Sequence, residues 1–411
     1  MATSPTFVIV GASLAGAKAA ETLRAEGFDG RVVLVGEEPA RPYERPPLSK
    51  AYLRGEADFD VAAVHEGDYY AANDIELRTS TTVTALDTQA SKVTLASGET
   101  IVYDRLLLAT GAVPRRITVP GADLGGVRYL RTVADADQLR QDLAAGSQVV
   151  VIGAGWIGAE VAASARQLGA SVSVVERGAV PLERVLGPEV GNLYRDLHAE
   201  HGVDLHFGTG VRSLVGNGAV AEVRLTDGTV LPADLVVVGV GVTPRTELAE
   251  TAGLVVDNGI VVDQYLATSA PGVYAAGDVA NSFHPLYGQR VRLEHWSAAL
   301  NQGPVAAKNM LGKTTVYDKV PYFFSDQYDF GMEYTGYAPK WDELVFRGSL
   351  SAREFIAFWL YEGRVVAGMN ANIWDVASTI EGLVRGGQVV DRAMLVDTEV
   401  DLASLVAPPH G

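Results

Sequence analysis

Cysteine is absent from all 411 residues. That excludes a disulfide framework, thiolate zinc sites, an iron–sulfur cluster held by this chain and any relay of reactive thiols. Redox chemistry on this chain therefore needs a bound organic cofactor. Positive charge is also scarce: 33 Lys and Arg stand against 50 Asp and Glu, a formal net charge of -17. Nonspecific attraction to nucleic acid or an anionic membrane surface is opposed by that sign. No apolar run approaches the roughly 20 residues that cross a bilayer. Met-Ala-Thr-Ser-Pro precedes the short apolar run Phe7 to Val10 without a basic leader. The expected location is the cytoplasm.

What is present is glycine, 44 residues of it, in a chain that is 48% hydrophobic and has no long polar or proline-rich tract. The length exceeds one ordinary core and implies two to three domains. Two segments open alike. Phe7-Val8-Ile9-Val10 leads into Gly11-Ala12-Ser13-Leu14-Ala15-Gly16 and an Ala-rich stretch to Arg24. Val149-Val150-Val151-Ile152 leads into Gly153-Ala154-Gly155-Trp156-Ile157-Gly158 and a stretch to Leu168. Each reads as strand, tight turn and helix. Each is followed by a second apolar run ending in acid, Glu37 lying 21 residues past Gly16 and Glu176 lying 18 past Gly158. Both spacings are close to the value of about 20 that a dinucleotide-binding βαβ unit requires.

Between the two units, Asp104 to Gly111 reads as a buried strand ending in small residues, and Pro114 and Pro120 mark a crossing segment. Thr132 with Asp135 three residues on is an N-cap for a helix through Leu143. Leu235 to Pro244 and Val273 to Asp278 are further strands with glycine turns. The simplest assembly inserts the second dinucleotide unit into the first. The expected fold class is α/β, with two Rossmann-like domains and a C-terminal α+β domain from Pro321, where Phe355 to Tyr361 is aromatic and β-rich.

A dianionic pyrophosphate needs main-chain N–H groups at a helix N-terminus and no side chain blocking approach. Gly153, Gly155 and Gly158 meet that need, while Ser13 takes the middle glycine position of the first turn and implies looser contact there. Gly11-Ala12-Ser13-Leu14-Ala15 superficially matches a nucleophile elbow but lacks its final glycine. Carboxylates at Glu37 and Glu176 accept ribose hydroxyls and repel a 2′-phosphate, favouring NADH over NADPH, although Arg177 is placed to meet such a phosphate. His198, His201 and His206 are close in sequence. His201 before Gly202 fits a helix C-terminus, and no matching carboxylate or cysteine pattern accompanies the three, so no metal is expected.

Arg41-Pro42-Tyr43-Glu44-Arg45-Pro46-Pro47-Leu48-Ser49-Lys50, with Ala109-Thr110-Gly111, Tyr129-Leu130-Arg131-Thr132, Ala276-Gly277-Asp278 and Ser325-Asp326-Gln327, resembles the oxygenase-coupled NADH:ferredoxin reductases over essentially the full chain. The resemblance implies an FAD domain over 1–112 and 244–320, an NADH domain over 113–243 and a C-terminal domain over 321–411 covering the flavin. It implies FAD contacts from Gly11, Ser13, Leu14, Ala15, Gly16, Glu37, Arg45, Pro47, Lys50, Val83, Ala109, Thr110, Gly111, Arg131, Gly277, Asp278, Glu294, His295 and Trp296. NADH would be held by Gly153, Gly155, Trp156, Ile157, Gly158, Glu160, Glu176, Arg184 and Gly241. The family pairs a glutamate after the second turn with the lysine of the Pro-Pro-Leu-Ser-Lys segment, here Glu160 and Lys50. A cation near flavin N5 stabilises electron density arriving with hydride. Relatives often carry a Trp-rich stretch where this chain has Tyr322-Phe323-Phe324, so an indole role does not carry over.

The implied activity is hydride transfer from NADH to FAD and one-electron delivery to a 2Fe–2S ferredoxin serving a cytochrome P450 or Rieske-type oxygenase, by a monomer or homodimer. Disulfide reductases and NADH peroxidases of related fold need a cysteine and are excluded. Rubredoxin reductase and an NADH-sensing flavoprotein of the apoptosis-inducing-factor kind are the alternatives. Because such ferredoxins are acidic, a local basic patch is expected at Arg290, Arg292 and Lys313.

Overall fold

The computed structural model describes residues 4–407 and divides into two compact units. The first holds the chain up to Glu44, Phe59–Val113 and Thr243–Pro321; the second holds Arg45–Asp58, Pro114–Val242 and the chain from Tyr322 onward.

The first unit is built on a five-stranded sheet in the order Val273–Ala275, Arg105–Leu108, Thr6–Val10, Arg31–Val35, Ile75–Arg78, every neighbouring pair parallel. Its central strands are nearly continuous Val, Ile and Leu because a parallel sheet is covered on both faces. Val10 sits beside both Val35 and Leu108, which sets the strand ends level where the first glycine turn begins. The helix Leu14–Ala25 follows, burying Ala15, Gly16, Ala17, Ala19, Ala20 and Leu23. That small-residue face lets the helix Trp296–Met310 come close: a Cβ on Gly303 would lie 2.3 Å from the Ala15 carbonyl oxygen.

The second unit repeats the plan. Asp204–Phe207, Ser171–Glu176, Gln148–Ile152, Leu235–Val238 and Val127–Tyr129 form a parallel sheet in that order. The helix Trp156–Gln167 follows the second turn. Thr132 and Asp135 form a reciprocal capping box at the helix Val133–Asp142. The same unit carries a five-stranded antiparallel sheet, ordered Tyr322–Gln327, Phe330–Gly336, Arg364–Ala371, Glu354–Tyr361, Glu343–Ser349. Leu186, Val190, Tyr194 and Leu197 of the helix Glu183–Glu200 share one apolar core with Phe330, Phe355, Trp359 and Met369 of that sheet. This shared core is what joins the sheet to the nucleotide-type fold in one unit. Among the described residues no helix is long and apolar enough to cross a membrane.

Candidate functional site

The two glycine turns are superimposable in logic. Gly11 has φ +117° and a Cβ there would lie 2.0 Å from the Ala109 carbonyl oxygen; Gly153 has φ +103° and would meet Gly239 oxygen at 2.4 Å. The third glycines, Gly16 and Gly158, would clash with the carbonyls of Gly11 and Gly153 at 2.0 and 1.9 Å. Those four are demanded by the fold. The middle position is not: Gly155 has φ -76°, and a Cβ on it would meet nothing within 4 Å. Ser13 takes an extended conformation too, with φ -118°. Neither residue caps its helix through a side chain. The first-turn N–H groups of both helices are thus left without a side-chain cap, at the second turn beside open space, an arrangement that suits a pyrophosphate. Leu14 and Ala15 are buried behind the first turn, whereas Ile157 is 45% exposed and Trp156 packs edge-on against Phe323 at 4.9 Å.

Around the first turn, Glu37 receives both guanidinium nitrogens of Arg245, one of them at 3.0 Å. Thr110 donates to the Arg245 carbonyl at 2.8 Å, and Gly111 takes φ +68°. Gly277 N–H donates to Gln302 at 2.8 Å, anchoring the turn that presents Asp278. His295 stands at the N-cap position of the helix that begins at Trp296, without a side-chain capping bond; burial pushes its imidazole down to about 4, with Asp278 opposing. Val83 opens the strand Val83–Asp87 at the edge of this unit's core. Glu294 pairs with Arg292 at 2.7 Å.

That pairing corrects the expected basic patch. Arg292 is only 10% exposed, Lys313 is bonded to Glu26, and Arg290 donates to the carbonyls of Val262 at 2.7 Å and Asn281 at 3.2 Å. Each of the three is thus partnered, Arg292 and Lys313 by an acid and Arg290 by main-chain carbonyls.

In the second unit, Arg45 donates to the Arg131 carbonyl, and Arg131 N–H reaches the capping Asp135 at 3.1 Å. Pro47 lies in the short 3-10 helix Pro46–Ser49, which delivers Ser49 and Lys50 to the helix after the second turn. There the Lys50 ammonium meets the Glu160 carboxylate at 2.6 Å, with side chains 12% and 4% exposed. Ser49 donates to the same carboxylate at 2.5 Å and Ser325 at 2.7 Å. The Phe324 ring lies 5.7 Å from the Lys50 ammonium, within cation–π range. Phe323 points the other way into the aromatic core, and Tyr322 donates to Glu333 at 2.7 Å.

Glu176 is tied to the turn itself, accepting from Ala154 N–H and Gly178 N–H, both at 2.9 Å. Arg184 is exposed in the first turn of its helix, and Gly241 takes φ +97° beside Arg115. The three histidines go separate ways. His198 is buried against Gln327, His201 donates to the Leu197 carbonyl at its helix end, and His206 faces Asp204. Sequence reading missed Arg245 as the partner of Glu37 and gave Ser325, Gln327 and His198 no role. Their partners lie more than a hundred residues away, beyond any local spacing signal.

Residues 5–303 match the family model described as pyridine nucleotide-disulphide oxidoreductase, and residues 322–406 match that described as reductase C-terminal. The chain is 40% identical to putidaredoxin reductase of Pseudomonas putida, across 99% of this chain and 98% of that protein. It is 41% identical to the ferredoxin--NAD(+) reductase component of the anthranilate 1,2-dioxygenase system of Burkholderia cepacia, across 97% and 99%. A crystal structure of the covalent putidaredoxin reductase–putidaredoxin complex superimposes with TM-score 0.95 at 39% identity, covering 98% of each chain. With paired glycine turns, a reductase C-terminal sheet and full-length likeness to these enzymes, the chain belongs to the pyridine nucleotide-disulphide oxidoreductase family, as a cysteine-free member.

Proposed function

We propose that this protein is an FAD-dependent NADH:ferredoxin oxidoreductase of the cytoplasm, delivering electrons to a 2Fe–2S ferredoxin that serves a cytochrome P450 or Rieske-type oxygenase. The observation that carries the reading is the buried Lys50–Glu160 pair two residues past the second glycine turn, in a chain with no thiol to act as a second redox centre. In the first unit, Gly11 to Gly16, Glu37, Thr110 and Asp278 would hold FAD; in the second, Gly153 to Gly158 and Glu176 would hold NADH. Bound FAD supplies two-electron acceptance and one-electron release. The chain itself orients: the open middle position at Gly155 admits phosphate, Glu176 selects an unphosphorylated ribose, and Lys50 and Glu160 keep paired charge at the reacting end. No side chain acts as nucleophile.

The test is anaerobic mixing of purified flavoprotein with NADH, then with an oxidised 2Fe–2S ferredoxin. The flavin's visible colour should bleach with NADH, return on ferredoxin addition, and return far more slowly with rubredoxin. Reduced flavin that persists for minutes beside every ferredoxin tried would favour a sensor, and preference for rubredoxin would reassign the acceptor.

A further inference from the structure

Six polar side chains of the second unit, Ser49, Glu160, Ser164, His198, Ser325 and Gln327, are each 4% exposed or less. All six bond into connected networks around Glu160. Buried polar groups are retained only when partnered, and a linked set specifies one geometry. The direction of each bond follows from chemistry. The Gln327 carbonyl oxygen is an acceptor, so His198 Nε2 carries the proton across their 2.9 Å contact. Gln327 then donates its amide to Ser325 Oγ at 3.3 Å, and Ser325 donates to Glu160 Oε1 at 2.7 Å. At the far end Nδ1 of His198 is left as acceptor for the Tyr328 hydroxyl at 3.3 Å. Tyr328 is held by His201, whose ring stacks on it at 3.6 Å and 9°.

Along the chain Tyr328, His198, Gln327 and Ser325 every donor therefore runs toward Glu160, while Ser164 donates to the Ser49 carbonyl. The two carboxylate oxygens are served differently: Oε2 by Lys50 and Ser49, Oε1 by Ser325. A carboxylate torsion is soft, so the bond to Oε1 decides whether the group stays fixed against Lys50.

We infer that His198 and Gln327 are positioning residues for hydride transfer, acting through Ser325 to hold Glu160 and Lys50 in one orientation. The inference rests on the proposed place of Lys50 and Glu160 at the reacting end of NADH. Neither His198 nor Gln327 contacts Glu160, so each acts only through the chain.

Single-turnover reduction of the flavoprotein by NADH separates the limiting rate from the NADH dissociation constant. His198→Leu and Gln327→Met should lower the limiting rate by roughly two- to tenfold, the worth of one neutral hydrogen bond, with NADH affinity nearly unchanged. His198→Gln, which can place an N–H near the Nε2 position, should recover most of it. Adding His198→Leu to Ser325→Ala should slow the enzyme no further than Ser325→Ala alone, because both act through one chain. Independently of turnover, nitrogen-15 NMR of the unaltered holoprotein should show His198 as the Nε2–H tautomer. Unchanged rates in both His198→Leu and Gln327→Met, an Nδ1–H tautomer, or no rescue by His198→Gln would overturn the inference. If His198→Leu fails to fold, Gln327→Met and the tautomer decide. Glu160→Gln run beside them separates the two readings: if it alone is slow, only the relay fails; if it too is unaltered, the placement of the Lys50–Glu160 pair fails.

Discussion

Removing Lys50 isolates the most consequential charge in the second unit. Lys50→Met leaves Glu160, 4% exposed, with two serine donors and no cation. Breaking a buried pair from one side costs about 3–5 kcal/mol, because the survivor stays buried and uncompensated. At ~2–4 °C per kcal/mol for a unit of this size, the melting transition should fall by on the order of 10 °C. The double variant Lys50→Met/Glu160→Leu replaces the pair with apolar volume and should regain most of that loss, yet remain slow with NADH. Calorimetry at fixed FAD concentration measures both, since cofactor occupancy also moves the transition. A single variant within about 1 kcal/mol of the parent would mean that the pair behaves as solvated surface charge, and the reasoning from burial would be wrong.

Gly155→Val should weaken NADH binding at least ~10-fold with little change in melting temperature, because its Cβ meets no protein atom within 4 Å. Gly158→Val, whose Cβ would sit 1.9 Å from a carbonyl, should instead give misfolded or sharply destabilised protein; equal behaviour of the two would contradict the assignment. Glu176→Ser should narrow the preference for NADH over NADPH by roughly tenfold or more in kcat/KM, and unchanged discrimination would remove the carboxylate from the site. Burial lowers His198 and His295 to about 4 from the ordinary 6.5, so the folded protein keeps both neutral. Between pH 6.5 and about 4 the unfolded chain binds protons that the folded one does not. Stability should therefore fall as the pH is lowered through that window, by ~1.4 kcal/mol per unit for each histidine, levelling below the folded value. His198→Leu should remove one share of that slope in denaturant titrations across this window.

Both glycine turns were legible because every requirement is local: an apolar run, three spaced positions and an acid on the next strand. Gly16 is needed by its contact with the Gly11 carbonyl inside the turn, Gly11 by its positive φ as well as by the distant Ala109 carbonyl, and Thr132 with Asp135 closes a cap within four residues. Arg45–Asp58 packs with the unit of the second turn although it lies in the first segment of the chain, a grouping that linear order conceals. The expected basic patch is altered by pairing, which linear order conceals for Lys313 with Glu26 but shows for Arg292 with Glu294 two residues on. Arg292 and Lys313 carry charge in any sequence count, but Glu294 and Glu26 neutralise them in the fold. Likewise Ser325 and Gln327 stood in a recognised motif, yet their meaning depends on Glu160 and His198, which are 165 and 129 residues away.

The central claim is that one cysteine-free chain binds two dinucleotides and passes hydride directly between them. Anaerobic titration with NADH of protein reconstituted with FAD tests it most directly. One equivalent of NADH should bleach one equivalent of bound flavin, and Glu160→Gln should slow that step without abolishing flavin binding. Protein that takes up no FAD, or holds FAD that NADH leaves oxidised, would contradict the account.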